Sequence, residues 1–540
     1  MPRRVISFLS TGVVLSCLAL WSGRVLAAPQ IVPCGTVVTL GNGDISSFNP
    51  LFSNDLANAR AAQLLYQSLV WVDRYGKVDY AQSIAAKIAV SPDSTTYTIT
   101  LKPFHWSDGT QVTAQDVLYE WGMIQQQGQT YPAYGSGGIP NLVKSVVALN
   151  PQTVQITLIK SVNPQWFIDN GLSLLQPLPA HAWKGLTLDQ LYQAQSSVDF
   201  FKVTDGPMKI KTLDIGRDAI FVANPAYDGP KLHLDRLVLV SPASDGAALQ
   251  QVESGELDFS ALPLEFYNKV QNVPGLHTEV LSPVSFFYYI DMNYRNPKVG
   301  FLRDVRVRQA MQDAIDQKMI IHVVYHGFGS EVYTPIPTVD DDMLTPEMKQ
   351  GQYPVGYDPH KAIALLKEAG FTPGHDGIMQ KDGKPLEFTL LTDGDSAEGM
   401  ELVVMIQDEL RAVGINMKIR QMAFGQIMQM LTSSSKNWDA VMQGTVLPPF
   451  PSGEGLFSST DSTSTDGYVD PTMNRLVDNT ISHAGLDDMY AYENYAAQQQ
   501  PYLFLPTSGH VDLVSNRIHG VDGYSNGGML APSALYCTRP

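Results

Sequence analysis

The chain has 540 residues, of which 44% are hydrophobic and 16% charged, and its formal net charge at pH 7 is −17. A single core stops growing at roughly 250–300 residues, so this length predicts two or more domains. The ordinary globular composition excludes a wholly disordered chain, and the acidic balance argues against nucleic acid as a partner because phosphate binding needs clustered Lys and Arg.

The first 27 residues have the pattern of a signal peptide. Arg3 and Arg4 precede an apolar stretch over 5–21, and small or apolar residues before the site predict cleavage near Ala27. A membrane anchor is one alternative, but the stretch is short and interrupted by serine and glycine. A lipoprotein is another, because Cys17 follows Val-Leu-Ser, although it lies inside the apolar run. We therefore expect an exported, periplasmic protein, with a lipid-anchored form as the alternative.

Two cysteines remain after cleavage, Cys34 and Cys537, one near each end of the mature chain. An even number of cysteines in an exported protein predicts a disulfide. Such a bridge requires the two ends of the chain to be neighbours in one domain. The alternative is two unrelated thiols.

In the first half of the chain, strand and helix patterns alternate. Alternating apolar and polar residues predict strands, and apolar residues three to four apart predict helices. The predicted strands are 35–40, 95–101, 154–158, 234–240 and 257–260, and the predicted helices are 59–69, 244–256 and one with Thr113 as its N-cap. The strand, helix and strand between 234 and 260 predict a parallel sheet.

The second half continues the mixture and predicts another α/β domain. The predicted strands are 285–294, 386–391 and 415–420, and the predicted helices are 305–324, 358–369 and 400–413. Gly370 and Gly414 end two of these helices, since glycine readily adopts the left-handed conformation of a C-cap. The segment 448–466 is rich in Pro, Gly, Ser and Thr and predicts a loop.

Four motifs follow one another between residues 106 and 371. They are W-S-D-G-T-Q-V-T-A-Q-D-V at 106–117, T-D-G-P at 204–207, D-V-R-V-R-Q-A with A-I-D at 304–316, and D-P-H-K-A-I-A-L-L-K-E-A-G-F at 358–371. In kind and order they resemble the motifs of the extracellular solute-binding proteins of family 5, the peptide- and nickel-type binding proteins of ABC importers. The resemblance covers nearly the whole mature chain.

The resemblance implies an α/β, two-lobe fold of the type II periplasmic-binding-protein class. Two crossover strands join the lobes, and an extra small domain packs on lobe one. After the signal peptide (1–27), lobe one would comprise 28–66, 200–278 and 505–540, the small domain 67–199, and lobe two 279–504. Both cysteines then fall in lobe one, which suits the predicted bridge.

The resemblance also places a ligand between the lobes, held by strand-like backbone bonds and a few side chains. Transferred position by position, the candidate ligand-binding residues are Asp44, Ile45, Ser46, Ser47, Ser260 and Ala261 in lobe one, Phe286 and Tyr288 on a crossover strand, and Gly444, Thr445 and Val446 in lobe two. For the two aromatic residues, the alternative is a purely structural place in the core.

One departure from the family pattern bears on the ligand. Peptide-binding members carry an Asp shortly after a Gly-Trp strand, where it pairs with the free α-amine of the ligand. Here Thr445 stands at the Trp position and Pro448 at about the Asp position. A buried ammonium without a carboxylate is costly, so either another acid replaces it, with Asp44 and then Glu454 as candidates, or the ligand lacks that amine.

Three short patterns suggest other chemistry and are discounted. G-Y-S-N-G at 523–527 matches a nucleophile elbow, but no His follows it to take the serine proton. S-S-S-K at 433–436 lacks the partner motifs of a serine acyl-enzyme. His322 and His326 could share a helix face, but a metal site needs three or four ligands. We therefore predict no catalytic residues, no metal site and no cofactor.

The leading hypothesis is a monomeric substrate-binding protein of an ABC importer. It would capture a peptide or peptide-like solute and deliver it to the permease subunits in the membrane. The alternatives are an exported hydrolase, a receptor of the same fold for a sugar, opine, metal complex or haem, and a sensor or chaperone receptor.

Overall fold

The computed structural model describes residues 31–41, 43–53, 55–281, 286–337, 342–394, 396–432, 436–457, 466–526 and 529–538. The predicted signal peptide lies outside them. Up to residue 199 the elements are β1 (Ile31–Val32), β2 (Thr36–Leu40), α1 (Leu56–Leu65), β3 (Ala85–Val90), β4 (Thr96–Leu101), α2 (Ala114–Gln127), β5 (Val143–Asn150), β6 (Thr153–Leu158), α3 (Pro164–Asn170), α4 (Ala180–Trp183) and α5 (Leu188–Gln193).

From residue 200 the elements are β7 (Met208–Asp214), β8 (Asp218–Ala223), β9 (Arg236–Val240), α6 (Asp245–Glu253), β10 (Phe259–Leu262), α7 (Tyr267–Val270), β11 (Leu276–Leu281), β12 (Phe286–Met292), α8 (Val305–Ala314), α9 (Gln317–Val323), β13 (Gly329–Ser330), α10 (Pro346–Lys349), α11 (Pro359–Glu368), β14 (Thr372–Pro373), β15 (Met379–Lys381), β16 (Lys384–Pro385), β17 (Glu387–Thr392), α12 (Ala397–Ala412), β18 (Asn416–Gln421) and α13 (Phe424–Thr432).

The remaining elements are β19 (Ala440–Val446), α14 (Glu454–Phe457), α15 (Pro471–Ser482), α16 (Asp487–Gln499), β20 (Leu503–Phe504), β21 (Thr507–Ser508), β22 (His510–Ser515), β23 (Ile518–His519), α17 (Val521–Tyr524), β24 (Ser525–Asn526), β25 (Met529–Leu530) and β26 (Tyr536–Thr538). Across the part of the chain that the structure describes, no helix combines the length and apolar character needed to cross a bilayer.

Two of the sheets that the segments predicted for lobe one form have the strand orders β2-β9-β8-β7 and β10-β22-β11. The prediction of a parallel sheet is right for β9, but its parallel partner is β2, and β10 instead pairs antiparallel with β22. The reason is that β2 occupies the place between them, since its Val38 exchanges backbone and side-chain hydrogen bonds with Asp258 just before β10.

The segment predicted as the small domain forms its own antiparallel sheet, in the order β3-β4-β6-β5. In β4 the alternation of Thr with Tyr97 and Ile99 buries the apolar residues on one face. The predicted cap at Thr113 is confirmed as a capping box, because its hydroxyl accepts from the backbone of α2 and Asp116 accepts from the backbone N–H of Thr113.

The segment predicted as lobe two contains a mixed sheet in the order β18-β17-β19-β12-β20. Strands β17, β18 and β19 are parallel, and β12 runs antiparallel to β19. A short pair, β13 with β21, joins residues 329–330 to 507–508 across the predicted boundary at 504/505. The exact division of the chain into lobes stays a prediction.

Three predicted elements are corrected by the structure. The helix predicted at 59–69 is α1, which begins at Leu56 after the Asp55 cap and ends at Leu65. The helix predicted at 305–324 is two helices, α8 and α9, because Ile315 has an extended backbone. Asp316 is the N-cap of α9, and its side chain accepts a hydrogen bond from Met319 N–H. The loop predicted at 448–466 contains the one-turn helix α14.

The D-V-R-V-R motif has a structural explanation in Arg308. This side chain is buried, and its guanidinium donates to the carbonyl oxygens of Leu302, Arg303, Gln499 and Gln500 at 2.9–3.0 Å. The arginine therefore joins α8 to the C-terminal end of α16, since those carbonyls accept a charge-assisted bond.

The predicted disulfide is confirmed between Cys34 and Cys537, whose Cα atoms are 5.1 Å apart. Strand β1 pairs antiparallel with β26 beside it. Arg517 lies against the bridge, where it donates to the carbonyl oxygen of Cys34 and pairs with Asp258. The bridge and the strand pair therefore hold residues 31–34 next to residues 537–538.

Candidate functional site

Strand β19 of the lobe-two sheet has an open edge along its second half. On one side, all of β19 from Ala440 to Val446 pairs with β12. On the other side, β17 pairs with it only at Leu390–Ala440 and Leu391–Val441 and then ends at Thr392. Over 442–446, no described strand takes up the second edge, so alternate backbone N–H and C=O groups there face away from the sheet.

Gly444 of β19 packs against two aromatic rings. Tyr288 lies opposite Gly444 and Phe286 opposite Val446, and the two rings meet edge to face with centroids 4.9 Å apart. A Cβ on Gly444 would lie 2.6 Å from Cζ of Phe286. The two aromatic residues on the predicted crossover strand therefore cover Gly444 and leave room for no side chain there.

A cavity of about 340 Å³ opens where β17 ends. We call it the strand-end cavity; it is lined by Tyr288, Thr392, Asp393, Gly394, Ser396, Gly399, Phe424, Ile427, Met428, Met442, Gln443 and Gly444. Phe424 is 57% exposed here, an apolar surface next to unpaired backbone groups, which is typical of a ligand pocket.

Carboxylates dominate the electrostatics around the strand-end cavity. Burial raises the pKa of the Tyr288 hydroxyl, and the neighbouring Glu398 and Asp393 raise it further. Burial raises the pKa of Glu398 to about 7, helped by Glu265 of lobe one and by Glu401. Because Glu265 belongs to the predicted lobe one, acids from both lobes approach each other beside this cavity.

A larger cavity, of about 1370 Å³, lies between the small domain and lobe two. We call it the interdomain cavity. The small domain contributes residues within 129–141 and 169–174, including Tyr131, Tyr134, Asp169 and Asn170, and lobe two contributes 445–449 and 451–456. Thr445 and Val446 therefore line this cavity, while Gln443 and Gly444 line the strand-end cavity, so the two cavities adjoin the same strand.

Asp169, at the end of α3, is the buried acid of the interdomain cavity. Asp169 is 2% exposed, and its Oδ2 atom has no hydrogen-bond partner among the described residues. Burial raises the pKa of this carboxyl to about 7; a hydrogen bond from Gln165 acts against the rise, and the charge of Asp73 adds to it. A carboxyl in this setting gains from any cation placed beside it.

The small domain and lobe two are in direct contact beside the interdomain cavity. The backbone N–H of Asn163 donates to Ile481 O at 2.6 Å, and its side-chain amide donates to Thr480 O at 3.0 Å. Lys77 of the small domain also pairs with Asp342 at 3.2 Å. These contacts tie the two segments together outside the lining of the cavity.

None of the candidate ligand-binding residues in lobe one lines either of these two cavities. Asp44 is exposed, whereas Ile45, Ser47 and Ser260 are buried and Ser46 and Ala261 are half-buried. The backbone N–H groups of Ser46 and Ser47 both donate to Asn58 Oδ1 at 2.8 Å, and Ser260 and Ala261 pair with β22. The structure therefore brings together Tyr288, Gly444, Thr445 and Val446, and places the lobe-one candidates elsewhere.

The three discounted patterns have separate outcomes. Helix α9 ends at Val323, and His326 has φ of +51°, so His322 and His326 do not share a helix face. Within the described ranges, no group of three His, Cys, Asp or Glu is arranged to hold a metal ion. Residues 433–435 and 527 of the other two motifs lie outside the described residues.

The candidate acid Glu454 lines the interdomain cavity, but sequence reasoning missed Asp169 and the acids and apolar wall at the strand-end cavity. Asp169, Glu398 and Phe424 lie on three separate helices, Asp393 directly follows β17, and none of the four belongs to a motif. A polar pair after an apolar helix, as in W-F-I-D-N at 166–170, was the single local signal for Asp169.

Comparison with known proteins agrees with this geometry. The model of the bacterial extracellular solute-binding proteins, family 5, middle region, matches residues 79–467. The oligopeptide-binding protein AppA of Bacillus subtilis is 26% identical over 495 residues, which cover 87% of this chain and 86% of AppA.

Two solved structures share the fold. That of B. subtilis AppA, in complex with a nonapeptide, superposes with a TM-score of 0.73 at 23% identity and covers 95% of this chain and 100% of AppA. NikA from Brucella suis, in complex with Fe(III)-EDTA, superposes with a TM-score of 0.78 at 20% identity. The match covers 93% of this chain and 100% of NikA. The predicted α/β, two-lobe fold is thereby confirmed.

Proposed function

The chain belongs to the bacterial extracellular solute-binding proteins of family 5, and on this premise we propose that it captures a peptide or peptide-like solute between its lobes and delivers it to an ABC permease. It acts by binding rather than by catalysis. The observation that carries the choice of solute is the open edge of β19 over 442–446, which faces a cavity.

An extended peptide is the ligand that such an edge fits best. A peptide added as a strand satisfies the unpaired backbone groups, and cavities beside the strand receive alternate side chains. The strand-end cavity and the interdomain cavity adjoin this edge at successive residues. The structure of AppA, a relative with the same fold, holds a nonapeptide, which supports a peptide here.

Capture follows from a difference in affinity between two states. The open form exposes the edge, and a solute that touches both lobes binds the closed form better; only that difference moves the hinge. We propose that Tyr288, Gly444, Thr445 and Val446 form the lobe-two side of the site. The proposed lobe-one contacts are Asp44, Ile45, Ser46, Ser47, Ser260 and Ala261; they lie outside the two cavities, and closure of the lobes would bring them to the solute. Phe286 packs against Tyr288.

The proposed partner is the permease that recognises the closed form. The proposed location is the periplasm, because the N-terminal 27 residues have the pattern of a signal peptide and the oligopeptide-binding relative OppA of Salmonella typhimurium is periplasmic. We propose that the protein works as a monomer, which size-exclusion chromatography with light scattering checks.

The direct test is to identify the solute that the protein carries. The mature chain is purified from the periplasm without added ligand and denatured, and the released small molecules are identified by mass spectrometry. Calorimetry with the refolded protein then measures their affinity. Release of peptides that rebind supports the proposal; release of a non-peptide solute that rebinds, with no binding of peptides, contradicts it.

A further inference from the structure

We propose that the solute carries a positively charged amine or guanidinium group, and that this group docks in the interdomain cavity against Asp169 of the small domain. The inference rests on the proposed function and narrows it to a chemical class of solute. It also gives the small domain a direct part in binding.

The first support is the charge of the cavity walls. Among the described residues that line the interdomain cavity, Asp169 and Glu454 are the acids, and none is Lys, Arg or His. The other lining residues are prolines, glycines, uncharged polar residues, four aliphatic residues and the tyrosines Tyr131 and Tyr134. A cavity whose charged groups all have one sign attracts a solute of the opposite charge, and the surrounding protein strengthens the interaction by lowering the local dielectric.

The second, independent support is the unpaired oxygen of Asp169. A buried carboxylate oxygen without a donor costs free energy, and natural structures rarely leave one. Several buried carboxylate oxygens of the described residues lack a partner, and among them Oδ2 of Asp169 is the one whose residue lines this cavity; Asp169 is 2% exposed. An ammonium or guanidinium group of the solute would supply the missing donor together with the opposite charge.

The position of the cavity along β19 fits the same solute. Val446, whose side chain is 67% exposed, lies at the end of the open edge and on the wall of the interdomain cavity. A solute that pairs with 442–446 therefore reaches Asp169's cavity as it leaves the strand. The strand-end cavity at the other end of this edge is lined by Asp393 and by no described basic residue, so an anionic solute meets acids at both places.

The test begins with the unaltered mature protein and peptides that differ only in charge. Three N-acetylated, C-amidated tetrapeptides carry two lysines, two glutamines or two glutamates alternating with alanine, and calorimetry measures each dissociation constant. We expect the lysine peptide to bind at least about 10-fold more tightly than the glutamine peptide, and the glutamate peptide to bind most weakly. Equal or reversed affinities overturn this inference and leave the proposed function standing.

The second arm tests the residue. Asp169→Asn keeps the shape of the side chain and removes its charge, so the ratio of the two affinities, lysine peptide over glutamine peptide, should fall towards 1. Asp408→Asn, the same change at an exposed position on α12 outside both cavities, should leave the preference unchanged. An undiminished preference in Asp169→Asn overturns the assignment of Asp169.

The comparison of the three peptides uses the unaltered protein, so it decides the charge class of the solute even if Asp169→Asn does not fold. If no peptide of any charge binds, that result contradicts the proposed function itself.

Discussion

The side chain of Asn170 makes two reciprocal hydrogen bonds with the backbone of Phe450. Its Nδ2 donates to Phe450 O at 2.8 Å, and Phe450 N–H donates to its Oδ1 at 2.9 Å. Both residues are buried. Because Asn170 belongs to the small domain and Phe450 to the loop after β19, this pair fixes one wall of the interdomain cavity against the other.

Asn170→Ala should weaken solute binding. Loss of the amide leaves the buried N–H of Phe450 without its partner, whereas its C=O keeps the bond from Ser452 N–H; an unpaired buried N–H costs about 1–3 kcal/mol. We therefore expect calorimetry to give dissociation constants about 10-fold higher than for the wild type. In the presence of solute, X-ray scattering should give the variant a larger radius of gyration than the wild type. Asn150→Ala, at an exposed strand end, serves as the control, and equal affinities in both variants would show that this contact does not take part in closure.

Gly444→Val should disrupt the half of β19 that has the open edge. The new Cβ would approach Cζ of Phe286 to 2.6 Å, so the ring pair must move, at a cost of about 1–3 kcal/mol. We expect a lower midpoint of urea unfolding and a loss of peptide affinity. Gly122→Ala on α2 has no atom within 4 Å of its new Cβ and should keep both quantities or gain slightly in stability. An unchanged affinity in Gly444→Val would remove this strand from the binding site.

Tyr288→Ala should weaken binding while the fold remains. Tyr288 packs on Phe286 and lines the strand-end cavity, and removal of an aromatic contact at a binding site costs about 1–3 kcal/mol. Circular dichroism checks the fold and calorimetry the affinity. Tyr357→Ala, which changes a half-exposed tyrosine outside both cavities, should bind normally. Wild-type affinity in Tyr288→Ala would exclude Tyr288 from the site.

Asp169→Asn should stabilise the ligand-free protein at alkaline pH. Burial raises the pKa of this carboxyl to about 7, with Asp73 as the neighbouring charge, whereas an unfolded Asp titrates near about 3.9. The folded state therefore loses stability relative to the unfolded state as pH rises from about 4 to 7, and the loss is complete above 7.

The stability difference between Asp169→Asn and wild type should accordingly grow over that range. At pH 8 we expect the variant to be more stable by about 1–3 kcal/mol, since the amide removes the charge but leaves its own N–H groups unpaired. Urea unfolding of both proteins at pH 5 and pH 8 measures this. A difference that does not change with pH would mean that the carboxyl of Asp169 titrates normally.

The Cys34–Cys537 bridge should contribute to stability without affecting binding. Replacing both residues with Ser removes a cross-link over 503 residues, which we expect to lower the free energy of unfolding by about 2–4 kcal/mol. Wild type under reducing conditions should match the double variant, and affinity should be unchanged because neither cavity includes the bridge. A double variant as stable as the oxidised protein would show that pairing of β1 with β26 is sufficient.

Local patterns predicted many elements within a few residues. Strand β4 and helix α11 follow from alternation and from the Asp358 cap with Gly370 at φ of +93°, because these signals act over one or two turns of chain. The break at Ile315 between α8 and α9 was missed, since apolar spacing continues across it and only the side chain of Asp316, which caps α9, marks it.

By itself, the sequence determined the family, the two-lobe α/β fold and the cysteine pair, because motifs, periodicity and residue counts are properties of the chain. The tertiary structure alone decided that β17 ends two residues past its pairing with Ala440, that β19 therefore has an open edge, and that Asp169 and Val446 line the same cavity. Asp169 and Val446 are 277 positions apart. Contacts over such separations depend on how sheets and domains pack, and burial of an unpaired carboxylate is a property of that packing rather than of any local pattern.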